Sequence, residues 1–407
     1  MSFLRRQERI GGGDDPPSGS ALTCPSHYQP NTRERGFMKR VAIIGTRGYP
    51  SYYGGFETAV RKLAPHLANR GWEVTVYGRP ATTAASDPNA DPRVKTVVTR
   101  GLETRSLSTL SFGLTSTAHA ARARPDVALI MNVANGFWLP MLRARGIPTV
   151  VNVDGIEWER EKWSQFGRAV FHAGAKATAR IADNIIVDSV EIGRRWRDEF
   201  NVSGRFIPYG GDEVGPLPLQ EDGLTKGTYV LVVARFVPEN SIGEFIEAAA
   251  ELAKHRDIVL VGSSGYSGEI EERIKHLIAL NPSRVRWLGH ISDDERLFGL
   301  WQHAGAYFHG HSVGGTNPAL VQAMACGVPI VARDTPYNRE VLGDAGILTA
   351  VDVASLTSSL ERILDDHAQR ERLREAAMTR ARTFYSWEGV CDAYEAALDD
   401  AIHAARK

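Results

Sequence analysis

Three loops hold the groups from which chemistry could be built. The most informative is His309-Gly310-His311-Ser312-Val313-Gly314-Gly315-Thr316-Asn317-Pro318. Asparagine caps helix N-termini and proline favours the first helical position, so a helix is expected from Pro318, with Asn317 as its cap. Gly314 and Gly315 let the preceding backbone come close to a ligand. No Asp or Glu lies between Glu295 and Asp334. A diphosphate resting there would meet free helix N–H groups, roughly half a positive charge of helix dipole and no opposing carboxylate. His309 and His311 could be zinc ligands, but they lack a nearby carboxylate or thiolate partner.

A second loop, Ala234-Arg235-Phe236-Val237-Pro238-Glu239-Asn240, supplies Arg235, whose planar, permanently charged fork suits phosphate oxygens. The third joins a first strand to a helix and contains Gly45-Thr46-Arg47-Gly48-Tyr49-Pro50 and then Gly54-Gly55-Phe56-Glu57. It reads either as an anion-binding turn, with Arg47, Gly54 and Gly55 facing the ligand, or as a turn whose glycines serve backbone geometry alone. Its Gly-x-x-Gly spacing and length differ from the dinucleotide fingerprint. Asp154, in Asn152-Val153-Asp154-Gly155, stands at a strand end. There it either orients or deprotonates an acceptor hydroxyl or caps the next helix.

The elements that would position these loops alternate regularly. Strands are expected at 41–44, 73–77, 127–131, 149–153 and 184–187, with helices at 57–69, 110–122, 158–180 and 190–199. A Pro- and Gly-dense connection follows at 208–218. The alternation then restarts with strands at 229–233, 258–261, 285–288, 306–308, 329–331 and 346–348. Its helices are expected at 239–254, 269–280, 293–302, 318–325, 354–366, 369–384 and 386–404. Continuous apolar strands alternating with helices imply parallel sheets covered on both faces, and 407 residues suffice for two such lobes. The fold class is therefore α/β: two doubly wound, Rossmann-like lobes in series, binding ligands at strand carboxyl ends. The expected divisions are a disordered leader at 1–37, an N-terminal domain at 38–212, a C-terminal domain at 213–385 and a final helix at 386–407.

Composition narrows the function. Lys plus Arg and Asp plus Glu both number 48, without the basic excess of a nucleic-acid binder. The three cysteines are far apart in sequence and suggest neither a disulfide framework nor a zinc site. No apolar run reaches membrane-spanning length, and the N-terminus lacks a secretory apolar segment, so a cytoplasmic location is expected. Residues 160–180 carry Arg160, Lys162, Arg168, Lys176 and Arg180 beside Trp163, Phe166, Val170 and Phe171. This is either an ordinary half-buried helix or a basic amphipathic face docking peripherally on anionic lipid.

The C-terminal motifs A-R-F-V-P-E-N and G-G-T-N-P-A-L-V-Q-A-M-A-C-G-V-P-I-V resemble those of retaining GT-B glycosyltransferases of the glycogen-synthase-like superfamily. The N-terminal G-T-R-G-Y-P-S-Y-Y-G-G-F-E-T and N-V-D-G-I-E-W-E-R-E-K-W resemble a narrower branch, the bacterial rhamnosyltransferases of capsule and cell-wall polysaccharide assembly. The resemblance runs from about residue 38 to 400. It implies two facing lobes around a cleft, with the acceptor held by the N-terminal lobe, the donor by the C-terminal lobe, and the last helix packing back toward the N-terminal domain.

The implied reaction is metal-independent, cofactor-free transfer with retention from a nucleotide-diphosphate sugar, with dTDP-rhamnose as the expected donor. The acceptor would be a saccharide or a polyprenyl-diphosphate-linked saccharide. Arg235 falls at the family's phosphate-binding arginine, and Gly314, Gly315, Thr316 and Asn317 at the turn that receives diphosphate and sugar. Asn240 replaces a frequent lysine, for which Lys226 or Arg333 could substitute. Gln322 stands where a glutamate usually grips the ribose, with His311 or Ser312 nearest its missing partner. A neutral amide would lose less with a deoxyribose donor, which has one fewer hydroxyl. Competing readings are a sugar-nucleotide epimerase, a non-catalytic sugar-nucleotide sensor and, least in accord with the glycine spacing, an NAD-dependent oxidoreductase.

Overall fold

The computed structural model describes residues 38–407 apart from 53, 81–86, 104–107, 154, 161–162 and 265–267. The expected leader at 1–37 and the candidate Asp154 therefore lie outside the described residues.

The first lobe runs β1 (Arg40–Ile44), α1 (Gly55–Asn69), β2 (Glu73–Gly78), β3 (Lys95–Val98), α2 (Ser108–Ala123), β4 (Val127–Met131), α3 (Leu139–Arg143), β5 (Thr149–Asn152), α4 (Gln165–Ile181), β6 (Asn184–Val187), α5 (Val190–Phe200) and β7 (Arg205–Phe206). Its strand order is β3-β2-β1-β4-β5-β6-β7, every pairing parallel. The central strands are apolar along their whole length: all five residues of β4 are buried, as a parallel sheet covered on both faces requires.

The second lobe runs β8 (Tyr229–Val233), α6 (Ile242–Leu252), β9 (Asp257–Val261), α7 (Glu269–Leu280), β10 (Val285–Trp287), α8 (Asp294–His303), β11 (Ala306–His309), α9 (Pro318–Ala325), β12 (Ile330–Arg333), α10 (Pro336–Leu342), β13 (Ile347–Thr349), α11 (Val353–Asp365), α12 (His367–Phe384) and α13 (Trp387–Ala405). Its order, β10-β9-β8-β11-β12-β13, is also wholly parallel. The order of both sheets reverses beside the first strand, between β1 and β4 and between β8 and β11. Those switch points are where open α/β sheets leave a crevice for a ligand.

The two expected doubly wound lobes are thus present, with local departures. β3 and β7 were not anticipated; both are short edge strands, largely exposed, and carry little apolar signal. The helix expected over 158–180 is divided into a 3₁₀ turn at Glu157–Glu159 and α4. Ser164 ends the intervening turn by accepting from Gly167 N at 3.2 Å. α10 was also missed; Thr335 caps it and proline occupies its first turn.

The chain crosses between lobes twice, and the crossings lie side by side. Gly211 N donates to Tyr385 O at 2.8 Å, and Gly211 bridges Ser386 in parallel. Beyond the second crossing, α13 leaves the lobe that precedes it and packs on the first. Val390, Cys391, Tyr394, Leu398 and Ile402 join the core containing β1, β2 and α1, and Asn152 on β5 donates to Tyr394 Oη. Gln322 and Lys62 hold Asp212 at the connector. Gln322 Oε1 accepts from Asp212 N at 2.8 Å and its Nε2 donates to Asp212 O at 3.0 Å, while Lys62 pairs with the Asp212 carboxylate.

Among the described residues no helix is long and apolar enough to cross a membrane. On the basic segment, Trp163 and Phe171 pack on one another at a tilt with ring centroids 4.9 Å apart, whereas Phe166 is 75% exposed. Arg160 is committed to Glu157 at 2.8 Å, and Lys162 lies outside the described residues.

Candidate active site

The carboxyl ends of both sheets open onto one cleft of about 730 Å³. From the first lobe come Gly45, Arg47, Gly54, Gly55 and Glu57 after β1, Asn132 after β4, and Glu157, Arg160 and Trp163 after β5. From the second come Arg235 after β8 and His311, Gly314, Gly315, Thr316, Asn317 and Pro318 after β11. All the site residues expected from the sequence converge here except Gln322 and the undescribed Asp154.

The wall from the second lobe is built by local hydrogen bonding. Asn317 Oδ1 accepts from Ala319 N at 2.9 Å, so α9 begins at Pro318 with its amide end facing the cleft. Asn240, in the position where resemblance implies a lysine, is buried and spans two partners. Its Nδ2 donates to Arg235 O at 2.8 Å, and its Oδ1 lies 2.6 Å from His311 Nδ1. An amide oxygen only accepts, so Nδ1 carries the hydrogen, leaving Nε2 as the second ring nitrogen. Below them His309 is buried, with Nδ1 3.0 Å from Tyr307 Oη. Burial, and then the neighbouring His311, push its pKa well below the usual histidine value. The two histidines therefore serve hydrogen bonds to Asn240 and Tyr307, which differs from the paired zinc ligation considered above.

Arg235 is exposed to the cleft, and its guanidinium has no ion pair among the described residues. Of the two cations considered as substitutes at Asn240, neither lines the cleft, although Arg333 reaches the neighbouring Ser241. Arg333 Nη1 donates to Ser241 Oγ at 2.8 Å. Lys226, which precedes β8, lines a separate cavity of about 790 Å³ with Glu213, Arg374 and Arg382.

The wall from the first lobe contains groups that sequence reasoning missed. Glu57 is buried in the first turn of α1, and its Oε1 accepts from Arg47 N at 3.1 Å. The available signal was its place three residues after Gly54, where an acidic side chain reaches back to loop amides. Glu157 holds Arg160 through Oε1 and accepts from Trp163 Nε1 at 2.9 Å through Oε2. Close approach requires glycine at position 45 and leaves little room at position 55. Gly45 has φ +97°, and a methyl group there would lie 2.1 Å from Met131 O; one on Gly55 would lie 3.2 Å from Tyr209 Oη.

The two walls touch. Thr316 N donates to Asp188 O at 3.3 Å, and Thr316 Oγ1 donates to the same oxygen. A methyl group on Gly315 would lie 2.0 Å from Asp188 Oδ1, and one on Gly155 would lie 3.1 Å from Gly314 Cα. The Thr316 hydroxyl, expected to face the donor, is thus used between lobes. Gln322 differs from expectation as well: its amide is bonded to Asp212 and, at 3.6 Å, to Cys326 Sγ, and it does not line the cleft. Burial pushes the Cys326 thiol up to about 12. Among the described residues one group, His66, Asp392 and Glu395, has potential ligand atoms within 4.8 Å of one another. It joins α1 to α13 outside the cleft, with Arg70 Nη2 2.8 Å from Asp392.

Comparison with known proteins gives this cleft a chemical context. Residues 53–212 match the family model described as Glycosyltransferase Family 4, and residues 220–380 match Glycosyl transferases group 1. The chain is 26% identical over 414 residues to the MMP alpha-(1->4)-mannosyltransferase of Mycolicibacterium hassiacum, covering 89% of this chain and 98% of that protein. It is 26% identical over 193 residues to O-antigen chain mannosyltransferase B of Escherichia coli, but that match spans 49% of the relative and 46% of this chain. Among solved structures, a sucrose-phosphate synthase from Thermosynechococcus elongatus superimposes with a TM-score of 0.75 at 21% identity, covering 90% of this chain and all of that one. Anabaena HepE in complex with UDP-glucose gives 0.70 at 16% identity, covering 89% and 100%. The named relatives are mannosyltransferases, so the rhamnose branch expected from the N-terminal motifs has no support among them. With the two family matches falling in order on the two lobes of a shared cleft, the chain is a glycosyltransferase of GT-B fold whose second lobe matches the group 1 family.

Proposed function

We propose that this protein transfers a hexose with retention from a nucleoside-diphosphate sugar to a saccharide or lipid-linked saccharide acceptor of cell-surface polysaccharide. The observation that carries the reading is that Arg235 and the N-terminus of α9 line the same wall of the cleft, with no carboxylate among that wall's described lining residues. Charge develops on the diphosphate as the sugar leaves, and preorganised donors aimed at that charge lower the barrier. Arg235 and the amide end of α9 supply that stabilisation. The acceptor oxygen forms the new bond to the anomeric carbon on the face the diphosphate leaves. The bond to the diphosphate oxygen breaks, and that oxygen takes the acceptor proton. Charge is handled by protein groups, so activity is expected to persist in chelator.

The argument for a deoxyribose donor depended on Gln322 meeting the ribose. Its amide is bonded to the Asp212 backbone, so we assign mannose, the sugar in the relatives' names, ahead of rhamnose. Thermal-shift binding of GDP-mannose, UDP-glucose and dTDP-rhamnose, with and without Arg235→Ala, tests this. Stabilisation by GDP-mannose that disappears in the variant is expected. Preference for dTDP-rhamnose would return the rhamnose assignment, and stabilisation unchanged in the variant would remove Arg235 from the site.

A further inference from the structure

The wall from the second lobe offers Arg235 and a helix N-terminus to a group carrying two or more negative charges; Asn240 replaces the second cation that resemblance implies, and Arg333 beside it is bonded to Ser241 and does not line the cleft. The first lobe brings one across the cleft. Arg160 stands just after the 3₁₀ turn at Glu157–Glu159. Its Nε edge is held by Glu157 Oε1 at 2.8 Å, and Glu157 is itself steadied by Trp163 Nε1. This fixes the guanidinium so that its far corner points at the opposite wall. A methyl group on Gly314 would lie 3.3 Å from Arg160 Nη2 and 3.5 Å from His311 Nε2. Gly314 has φ +98°, a conformation that brings bare backbone toward both side chains. Other cleft-lining cations are placed differently: Arg79 lies over the Phe112 ring at 5.0 Å, and Arg47 belongs to the loop after β1.

We propose that Arg160 is a donor-binding residue that contacts the diphosphate from the first lobe and takes the place of the cation absent at Asn240. This rests on the nucleoside-diphosphate-sugar reading above. An arginine fork held along one edge is well suited to the task, because planar, oriented donors lose little freedom when they meet phosphate oxygens. The consequence is mechanical as well as electrostatic. A cation on the second lobe would bind the diphosphate whether the lobes were open or closed. Arg160 reaches the Gly314 turn where the walls meet, so a bound diphosphate would hold them together.

The test is calorimetric titration of the whole chain with GDP, UDP and dTDP, each paired with its monophosphate. The parent is compared with Arg160→Gln, Arg160→Lys and Arg235→Gln at two salt concentrations. For the nucleotide that the parent binds, Arg160→Gln is expected to weaken the diphosphate about tenfold while changing the monophosphate less than about twofold, and to flatten the salt dependence. Arg160→Lys should fall between Gln and parent, which keeps the test informative if Gln lowers the melting temperature. Weakening by Arg235→Gln with diphosphate affinity unchanged in Arg160→Gln would overturn this inference and leave the proposed function standing. Equal weakening of mono- and diphosphate by Arg160→Gln would make the residue structural and also overturn it. A parent that binds none of the six nucleotides would instead overturn the reading on which the inference rests.

Discussion

The two walls of the cleft use the same device, loops at the carboxyl ends of parallel strands, yet carry contrasting chemistry. On the second lobe, Arg235, His311 and the α9 amides face the cleft with no carboxylate among the described lining residues, and Asn240, Tyr307 and His309 behind them are neutral. On the first lobe, carboxylates are present; Glu57 is engaged by Arg47 N and Glu157 by Arg160 and Trp163, while Glu103 is exposed. One wall is prepared for an anion that arrives; the other holds Glu57, Glu157 and Arg160 in fixed places. A transferase gains from this division, since the leaving diphosphate needs uncommitted positive potential, while the partner lobe must present groups at set distances when the walls meet.

The contrast can be broken most directly at Arg235. Arg235→Ala should cost about 2–4 kcal/mol of barrier, on the order of 10²–10³ in kcat/KM. Steady-state rates near those of the parent would mean that the second lobe does not carry the charge stabilisation. The meeting of the walls comes next. Gly315→Val places a side chain against Asp188 and should lower kcat/KM roughly tenfold to a hundredfold through misplacement alone. A structure of the variant that still closes with full activity would remove closure from the account.

Gln322→Ala separates a hinge role from ribose binding. Loss of its bonds to the Asp212 backbone should cost about 1 kcal/mol of stability, seen as a lower Tm, with donor affinity unchanged. A weakened donor Kd at unchanged Tm would restore the ribose assignment.

The neutral backing of the second wall predicts an acid limit. Burial holds the His309 pKa below its unfolded value of about 6.5. The unfolded chain therefore takes up the proton first. The full contribution to stability is present above pH 6.5 and declines as pH falls from there toward the folded-state pKa, by up to about 1.4 kcal/mol per pH unit. His309→Gln should flatten that part of a Tm-versus-pH profile; an unchanged slope would place its origin elsewhere. The smallest effect is expected at Glu57→Gln on the other wall. The isosteric amide can still accept from Arg47 N, so a change of about 0.5 kcal/mol or less in donor binding is predicted by titration.

Much of the fold was readable because its signals are local. Strands such as β4 and β8 are continuous apolar runs, and α9 announces itself through Asn317 and Pro318, with partners two residues apart. Three loops carrying glycines or an arginine sit at the ends of β1, β8 and β11, so the cleft's main parts followed from the alternation. The misses have equally local causes. β7 has only two residues, and the 3₁₀ turn before α4 lies in a stretch whose spacing looks helical until Ser164 caps the helix late.

By itself, the sequence determined the two doubly wound lobes, the helix facing the cleft and the presence of Arg235 at a strand end. These depend on residues within one turn, one strand or one loop. Tertiary structure alone decided how such pieces are used. It turned Gln322 from the cleft to Asp212, 110 positions away, and gave the Thr316 hydroxyl to Asp188, 128 positions away. It also brought Tyr394 back to Asn152 across 242 positions. Contacts at such separations depend on where whole sheets pack, and a side chain's hydrogen-bonding capacity is the same whichever distant partner that packing delivers.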